Sequence, residues 1–242
     1  MSIADRIESL LPYMRRYARA STGNTVTGDA CVERVLQHVL EQSLDVDFDP
    51  SRFDRIGIYA LLEHELDRLT RSDDAKARRA LLLVAVDGFD DITVRQILKV
   101  DADQLSRLLG QAEKAFAETT ATSLLIIEDE PMIAAQLKRL AESLGHRVVG
   151  IAETASKAVE LNQGDAVDIV LCDIQLADGS LGTDAIAEMG LASNVPVVFI
   201  TAYPERYLST SNEGPSYLIT KPFESDYLKA VIGHALLNVQ AS

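Results

Sequence analysis

The sequence predicts two folds in series, an all-α half followed by an α/β half built on a five-stranded parallel sheet with helices on both faces. Three observations predict it. The chain has 242 residues, long for one domain and ordinary for two, because domains usually run to roughly 100–200 residues. Residues 1–118 carry apolar side chains at helical spacing almost throughout. From residue 124 onward, short β-branched runs alternate with helical patterns, the order that lays strands parallel and puts helices on the sheet's faces.

The helices come first. Ile7, Leu10, Leu11, Met14 and Tyr17 form one apolar stripe, and Val32, Val35, Leu36, Val39 and Leu40 form a second. Both follow the spacing that puts residues on one helical face. Arg55 to Leu69 reads as a third helix with Ile58, Leu61, Leu62, Leu66 and Leu69 inward. Ser21 to Gly28 and Asp45 to Ser51 are turn-rich connections. A polar joint at 71–75 divides this half into sub-regions 1–72 and 76–118. Residues 77–86 are apolar enough for a buried helix. Asp90 to Leu98, a turn at Lys99 to Asp101, and Ala102 to Glu118 outline a helix-turn-helix. Asp101 with Gln104 three residues on predicts a capping box.

Residues 119–123 are small and polar, as a linker would be. The second half, 124–242, then supplies strands at Leu124–Ile127, Val148–Ile151, Ile169–Cys172, Val195–Ile200 and Tyr217–Ile219. Helical patterns at Met132–Leu144, Thr154–Leu161, Thr183–Met189 and Glu224–Leu237 separate or follow them. Tyr203 to Gly214 has room for a short helix. About 120 residues with five strands suit a flavodoxin-like sheet.

Composition narrows the function. The formal charge is −14, which disfavours a general binder of nucleic acid or anionic membrane. The two cysteines, Cys31 and Cys172, are far apart amid apolar residues and read as buried thiols in a reducing compartment. The first residues mix acids and bases, unlike a secretory signal. No apolar run approaches the ~18 residues that span a bilayer. A cytoplasmic protein with no membrane contact is expected.

Chemistry gathers at the strand ends. In open parallel sheets, ligands bind beyond the carboxyl ends of the strands. Strand one is followed by Glu128, Asp129 and Glu130, strand three by Asp173, strand four by Thr201, and strand five by Thr220, Lys221 and Pro222. Clustered carboxylates repel unless a cation lies between them, and charged oxygen ligands suit Mg²⁺. Asp173 can then act as a nucleophile toward a phosphoryl group, forming an acyl phosphate. Lys221 would neutralise the phosphoryl oxygens, and Thr201 would donate a hydrogen bond to one. Glu130 reads as the start of a helix, and Asp178, followed by glycine, as a turn former.

These stretches, with Phe223 after Pro222, resemble the response-regulator receivers of two-component phosphorelays. The resemblance implies that Asp173 is the phosphoacceptor, taking its phosphoryl group from a histidine kinase. It implies that Asp129 binds Mg²⁺ directly, that Glu128 does so through water, and that the backbone carbonyl of Gln175 is a further ligand. It makes Lys221–Pro222 a candidate cis bond. One departure concerns the switch aromatic. Its usual position, three residues before the lysine, holds Leu218, and Tyr217 lies on the other face of the strand. The aromatic switch is then either missing or moved to Tyr203, within a Phe-x-Thr-x-Tyr pattern.

The N-terminal half resembles an extracytoplasmic-function sigma factor in two pieces. Leu10 to Arg19 with the helix Cys31 to Gln42 looks like the first sigma region, and Arg78 to Phe116 like the fourth. Charge argues against promoter binding, since phosphate contacts supply most DNA affinity. The helix Ala102 to Glu118 holds Asp103, Arg107, Glu113, Lys114 and Glu118, a net −1, and residues 1–75 are net −5. A degenerate sigma-like half followed by a receiver resembles the PhyR-type regulators of the alphaproteobacterial general stress response. That implies partner switching: the phosphorylated chain sequesters an anti-sigma factor of the NepR type and so frees the true sigma factor. It implies sigma-factor mimicry, with neither stable DNA binding nor turnover of an external substrate. Two alternatives stand beside it. One is a phosphorylation-gated sigma factor that binds promoter DNA directly. The other, a haloacid-dehalogenase-type phosphatase, wants a second aspartate where the chain has Gln175.

Overall fold

A computed structural model of the chain describes residues 3–45, 48–117, 121–162, 166–192, 195–204, 217–223 and 225–240. They form two compact units, one extending through Ala115 and the other beginning at Phe116. The expected linker lies partly outside the described residues, and β1 takes Ser123 from it. The short helix expected between Tyr203 and Gly214 lies almost wholly outside them.

The helical unit contains α1 (Ile3–Thr22), α2 (Thr25–Ser43), a 3₁₀ turn (Pro50–Phe53), α3 (Arg55–Leu69), α4 (Asp73–Ala85), α5 (Asp91–Leu98) and α6 (Ala102–Ala117). The sequence sets where these begin. Asn24, Asp54, Ser72 and Asp90 each cap a helix by accepting from the backbone N–H three residues on, at 2.8–3.1 Å. The capping box of α6 is present: Asp101 Oδ1 accepts from Gln104 N at 2.7 Å, and Gln104 Oε1 accepts from Asp101 N at 2.9 Å. Lys99 closes α5 in the left-handed region, at φ 53°. The turn expected over Ser21 to Gly28 shrinks to Gly23 and Asn24, since α2 is already under way at Gly28. Any β-carbon at Gly28 would stand 2.6 Å from the Arg19 backbone nitrogen, so glycine is what lets α2 cross α1 so closely.

The stripes predicted for α1, α2 and α3 supply the core, with two corrections. Leu40 is 65% exposed and Leu69 48% exposed. Leu40 stands one residue beyond the buried Val39, on the solvent side, and Leu69 ends its helix. The larger surprise is buried charge. Arg16, Arg19, Glu63, Arg79 and Asp87 are all buried. Arg16 pairs with Asp87 at 2.9 Å, and Tyr59 donates to the same carboxylate at 2.9 Å. Tyr17 donates to Glu63 at 2.6 Å, and Arg79 bridges Glu63 and Asp67. Arg19 makes a two-pronged pair with Asp29 at 2.7 Å.

The second unit runs β1 (Ser123–Ile127), α7 (Pro131–Ser143), β2 (Arg147–Ala152), α8 (Ala155–Asn162), β3 (Ile169–Asp173), α9 (Gly182–Met189), β4 (Val197–Thr201), β5 (Tyr217–Thr220) and α10 (Ser225–Gln240). The sheet is parallel, in the order β2-β1-β3-β4-β5. β1 and β3 lie inside it, and all of Leu124 to Ile127 and Ile169 to Leu171 are fully buried, as strands covered on both faces require. The order reverses between β1 and β3, which opens a crevice at their carboxyl ends. Among the described residues, no helix is long and apolar enough to cross a membrane.

Candidate functional site

Each strand that borders the crevice delivers one polar residue to it. Glu128 directly follows β1, is fully buried, and is fixed by its N–H donating to the Ala152 carbonyl at 2.9 Å. Asp173 is the last residue of β3 rather than the first beyond it, paired in register with Ile200 of β4. Its Oδ1 accepts from the Gln175 N–H at 3.0 Å. Thr201, one residue past Ile200, is buried at the end of β4, and its hydroxyl accepts from the Tyr203 N–H at 3.1 Å. Lys221 follows β5, anchored by its N–H donating to the Thr201 carbonyl at 2.8 Å. The Lys221–Pro222 bond is cis.

The Lys221 ammonium ties these ends together. Its Nζ lies 2.6 Å from Asp173 Oδ2, 3.0 Å from Glu128 Oε1 and 2.9 Å from Glu128 Oε2. Glu130, at the start of α7, has its carboxylate 3.8 Å from the same ammonium. One cation thus faces three carboxylates, with Asp129 nearby as a fourth. Burial pushes the Glu128 carboxyl up to about 7, against the pull of Lys221 and with a push from Asp173. Burial also works to lower the Lys221 ammonium, but its bonds to Asp173 and Glu128 prevail and hold it above its ordinary value. The Cys172 thiol, buried beneath the site, is raised far out of reach of ionisation by that burial; it is inert, as a structural cysteine should be.

A cation fits here on the chemistry of the donors. Carboxylate oxygens of Glu128, Asp129 and Asp173 all lie within 4.8 Å of one another. Two of the three residues are buried, and a buried carboxylate cluster with one ammonium is short of positive charge. Oxygen donors in this number suit a hard divalent cation.

The structure thus brings together Glu128, Asp129, Asp173 and Lys221, with Thr201 and Tyr203 following β4. Gln175 is exposed, with its N–H turned to Asp173. Asp178 is the turn former expected, its Oδ1 accepting from Ser180 N and Oγ at 2.9 and 2.6 Å. The aromatics separate: Tyr217 is buried with its ring 6.2 Å from that of His234, Leu218 is buried, and Tyr203 is 45% exposed. One supporting residue escaped the sequence reading. A β-carbon at Gly182 would sit 1.9 Å from the Asp173 carbonyl oxygen, so only glycine lets α9 begin against the Asp173 loop. The signal was there, a glycine at the first position of a helical pattern that follows a strand-end aspartate.

Known families match along nearly the whole chain. Residues 124–233 match the response regulator receiver domain, residues 7–63 the sigma2 domain of PhyR, and residues 74–118 the sigma-like domain of the response regulator PhyR. The phyllosphere-induced regulator PhyR of Methylorubrum extorquens is 40% identical, over 100% of this chain and 97% of that protein. A crystal structure of a mutant of the anti-anti-sigma factor PhyR from Bartonella quintana superposes with a TM-score of 0.90, at 40% identity and 100% of both chains. The response regulator PhyR from Brucella abortus gives 0.86, at 42% identity, over 100% of this chain and 96% of that one.

Proposed function

This chain belongs to the PhyR family of response regulators, and on that premise we propose that it is a phosphorylation-dependent anti-anti-sigma factor. Phosphorylated at Asp173, it sequesters an anti-sigma factor of the NepR type through its sigma-like half and so releases the true sigma factor. The observation that carries the reading is the Lys221 ammonium held 2.6 Å from Asp173 and 3.0 Å from Glu128 at the crevice. A lysine so placed supports the reading of Asp173 as the carboxylate at which phosphoryl charge is gathered and neutralised.

The chemistry runs on this chain's residues. An Asp173 carboxylate oxygen attacks the phosphorus of a phosphohistidine on the kinase. The P–N bond breaks, the P–O bond forms, and the imidazole leaves. The Lys221 ammonium offsets the charge of the phosphoryl oxygens. The Thr201 hydroxyl, which accepts from Tyr203 N–H, has its proton to give to a phosphoryl oxygen. Drawing Thr201 inward shifts Tyr203, whose N–H donates to the Thr201 hydroxyl and which serves as the switch aromatic. Glu128, Asp129, Asp173 and the Gln175 carbonyl would hold Mg²⁺, which supplies further charge neutralisation when bound. Phosphorylation then biases a two-state equilibrium toward the form that binds the partner.

The sigma-like half is the decoy. The amino end of α6, which a helix-turn-helix would turn to DNA, begins with Asp101 and Asp103, both exposed. That charge repels phosphate, so a protein partner is the better fit. The test is affinity for the anti-sigma factor with and without acetyl phosphate and Mg²⁺. Binding should tighten at least tenfold on phosphorylation, and Asp173→Ala should abolish the gain. Equal binding by Asp173→Ala under phosphorylating conditions sinks the reading, as does tight, sequence-specific, salt-dependent promoter binding.

A further inference from the structure

The helical unit holds a cavity of about 500 Å³ that the chemistry of the Asp173 crevice leaves unused. Small-molecule sites usually measure ~300–1,000 Å³. α3 lines the cavity with Ala60, Leu61, His64, Glu65 and Arg68, and α2 lines it with Arg34, Val35 and His38. Spacings of three and four put each set on one face of its helix. The lining divides by chemistry. Val35 is buried, and Ala60 and Leu61 are half-buried, which gives a small apolar part. The remaining side chains are charged or carry an imidazole.

The charges are out of balance in the sense opposite to the Asp173 crevice. Residues 1–75 are net −5, yet the cavity is lined by Arg34, Arg52, Arg68 and Lys99 against a single carboxylate, Glu65. Two guanidiniums share that carboxylate: Arg34 Nε lies 2.7 Å from Oε2, and Arg68 Nη1 lies 3.3 Å from Oε1. His64 Nδ1 is 3.6 Å from the same Oε1. Burial works to raise the Glu65 carboxyl, but its bond to Arg34 and the charge of Arg68 prevail and hold it below its ordinary value. Arg52 and Lys99 are exposed and add two more cations. Asp49, beside Arg52, is engaged in capping the 3₁₀ turn, its Oδ1 accepting from Ser51 N and Oγ at 2.9 and 2.7 Å. One carboxylate therefore serves a cavity with four permanent cations.

We propose that this α2–α3 cavity binds a nucleotide, its phosphates on the arginines and its ring against Val35, Ala60 and Leu61. Guanidinium forks match phosphate oxygens in geometry and in charge. The imidazoles of His38 and His64 can each donate a further hydrogen bond. Inorganic phosphate would satisfy the cations and leave the apolar lining bare. An uncharged ring would do the reverse. A ligand with both parts satisfies both, and three small side chains cover a ring rather than a long acyl chain. The site would give the helical unit a small-molecule input of its own, and it does not depend on how Asp173 is used.

The test is calorimetry on the full chain in EDTA, with adenosine diphosphate, guanosine diphosphate, pyrophosphate and the bare nucleosides as probes. At least one diphosphate should bind saturably, one to one, and at least about tenfold more tightly than pyrophosphate or its own nucleoside. R52Q/K99N removes two exposed cations, and asparagine tolerates the left-handed backbone at position 99. It should weaken binding at least about tenfold. Glu65→Gln should act in the opposite direction. It frees Arg34 and Arg68 from a competing charge while keeping an acceptor, so binding should tighten at least about threefold. A folding defect would weaken both variants, so the opposed signs separate the site from a structural effect. Lys157→Gln, an exposed change on α8, should leave affinity within about twofold. No saturable binding of either diphosphate overturns the proposal, as does an unchanged R52Q/K99N or a weakened Glu65→Gln. Pyrophosphate binding as tightly as the nucleotide would reduce the cavity to a patch of positive charge. A single-stranded oligonucleotide binding more tightly than either mononucleotide would replace the small molecule with nucleic acid. Either result overturns the proposal.

Discussion

Replacing Asp87 with alanine should cost the helical unit about 3–5 kcal/mol, the usual penalty for stranding one member of a buried ion pair. The magnitude follows from what is left behind. Arg16 is only 8% exposed at its side chain, and without Asp87 it loses the carboxylate 2.9 Å away while the Val86 carbonyl at 2.8 Å stays. A guanidinium so buried is poorly hydrated, and the loss of its paired carboxylate is costly. The Tyr59 hydroxyl loses its acceptor as well, and an orphaned buried donor costs about 1–3 kcal/mol by itself. The two penalties overlap because both groups share one pocket, so they do not add in full. Native-state hydrogen exchange suits the question, since it reads the helical unit separately from the α/β unit. With about 1.4 kcal/mol per factor of ten, protection of the buried α1 and α3 amides should fall by about two to three and a half powers of ten. The control is the pair R16M/D87N, which removes the stranded charge while sparing an acceptor for Tyr59. It should recover at least half of the loss. A drop of less than tenfold for Asp87→Ala, or a double variant as unstable as the single, would refute the reasoning.

Other consequences follow from the same geometry. Mg²⁺ should stabilise the α/β unit, by about 2.7 kcal/mol at a hundred times its dissociation constant, and Asp129→Asn should remove most of that rise in thermal midpoint. Lys221→Met takes away the ammonium that competes for the same carboxylates. Divalent cations should then bind at least about tenfold more tightly by the loss of like-charge repulsion, while phosphoryl uptake from acetyl phosphate slows; weaker cation binding, read by calorimetry, would contradict this. Asp101→Ala breaks the capping box and should cost about 1 kcal/mol, seen as faster exchange confined to the first turn of α6.

The parallel sheet and its crevice were legible because both rest on local patterns. Each strand is a short β-branched run, and a strand's last residue names what stands at the sheet edge. The sequence alone therefore places Glu128, Asp173, Thr201 and Lys221 together. The start of α6 was legible for the same reason, since Asp101 and Gln104 satisfy each other three residues apart. The misses share a cause in long-range packing. Leu40 and Leu69 fit their stripes by spacing, but whether the outer edge of a stripe is covered depends on what lies across from it. Arg16, Glu63 and Asp87 look like solvated charges in sequence, and their burial depends on partners 16 to 71 residues away. A narrower sign was available on α1. From Arg16 to Ala20 all five residues are buried, which a single amphipathic stripe cannot accommodate, and small alanines beside arginines are the residues that permit it.

Buried charge in this chain takes two forms, and local balance separates them. Among the described residues of the helical unit every buried cation has its acid: Arg16 with Asp87, Arg19 with Asp29, Arg79 with Glu63 and Asp67. Such clusters give each buried arginine a carboxylate partner and so hold a shape. At the crevice Lys221 alone faces Glu128, Asp173 and Glu130 within 3.8 Å, with Asp129 close by. Burial, with a push from Asp173, raises the Glu128 carboxyl to about 7, and the deficit leaves a demand for positive charge. A cluster short of cations attracts a metal, and the metal and lysine together then tolerate the phosphoryl charge that the carboxylates alone would repel. On the proposed reading that imbalance is what leaves Asp173 available for phosphorylation, whereas the charge of Asp87, at least as buried, is paired with Arg16.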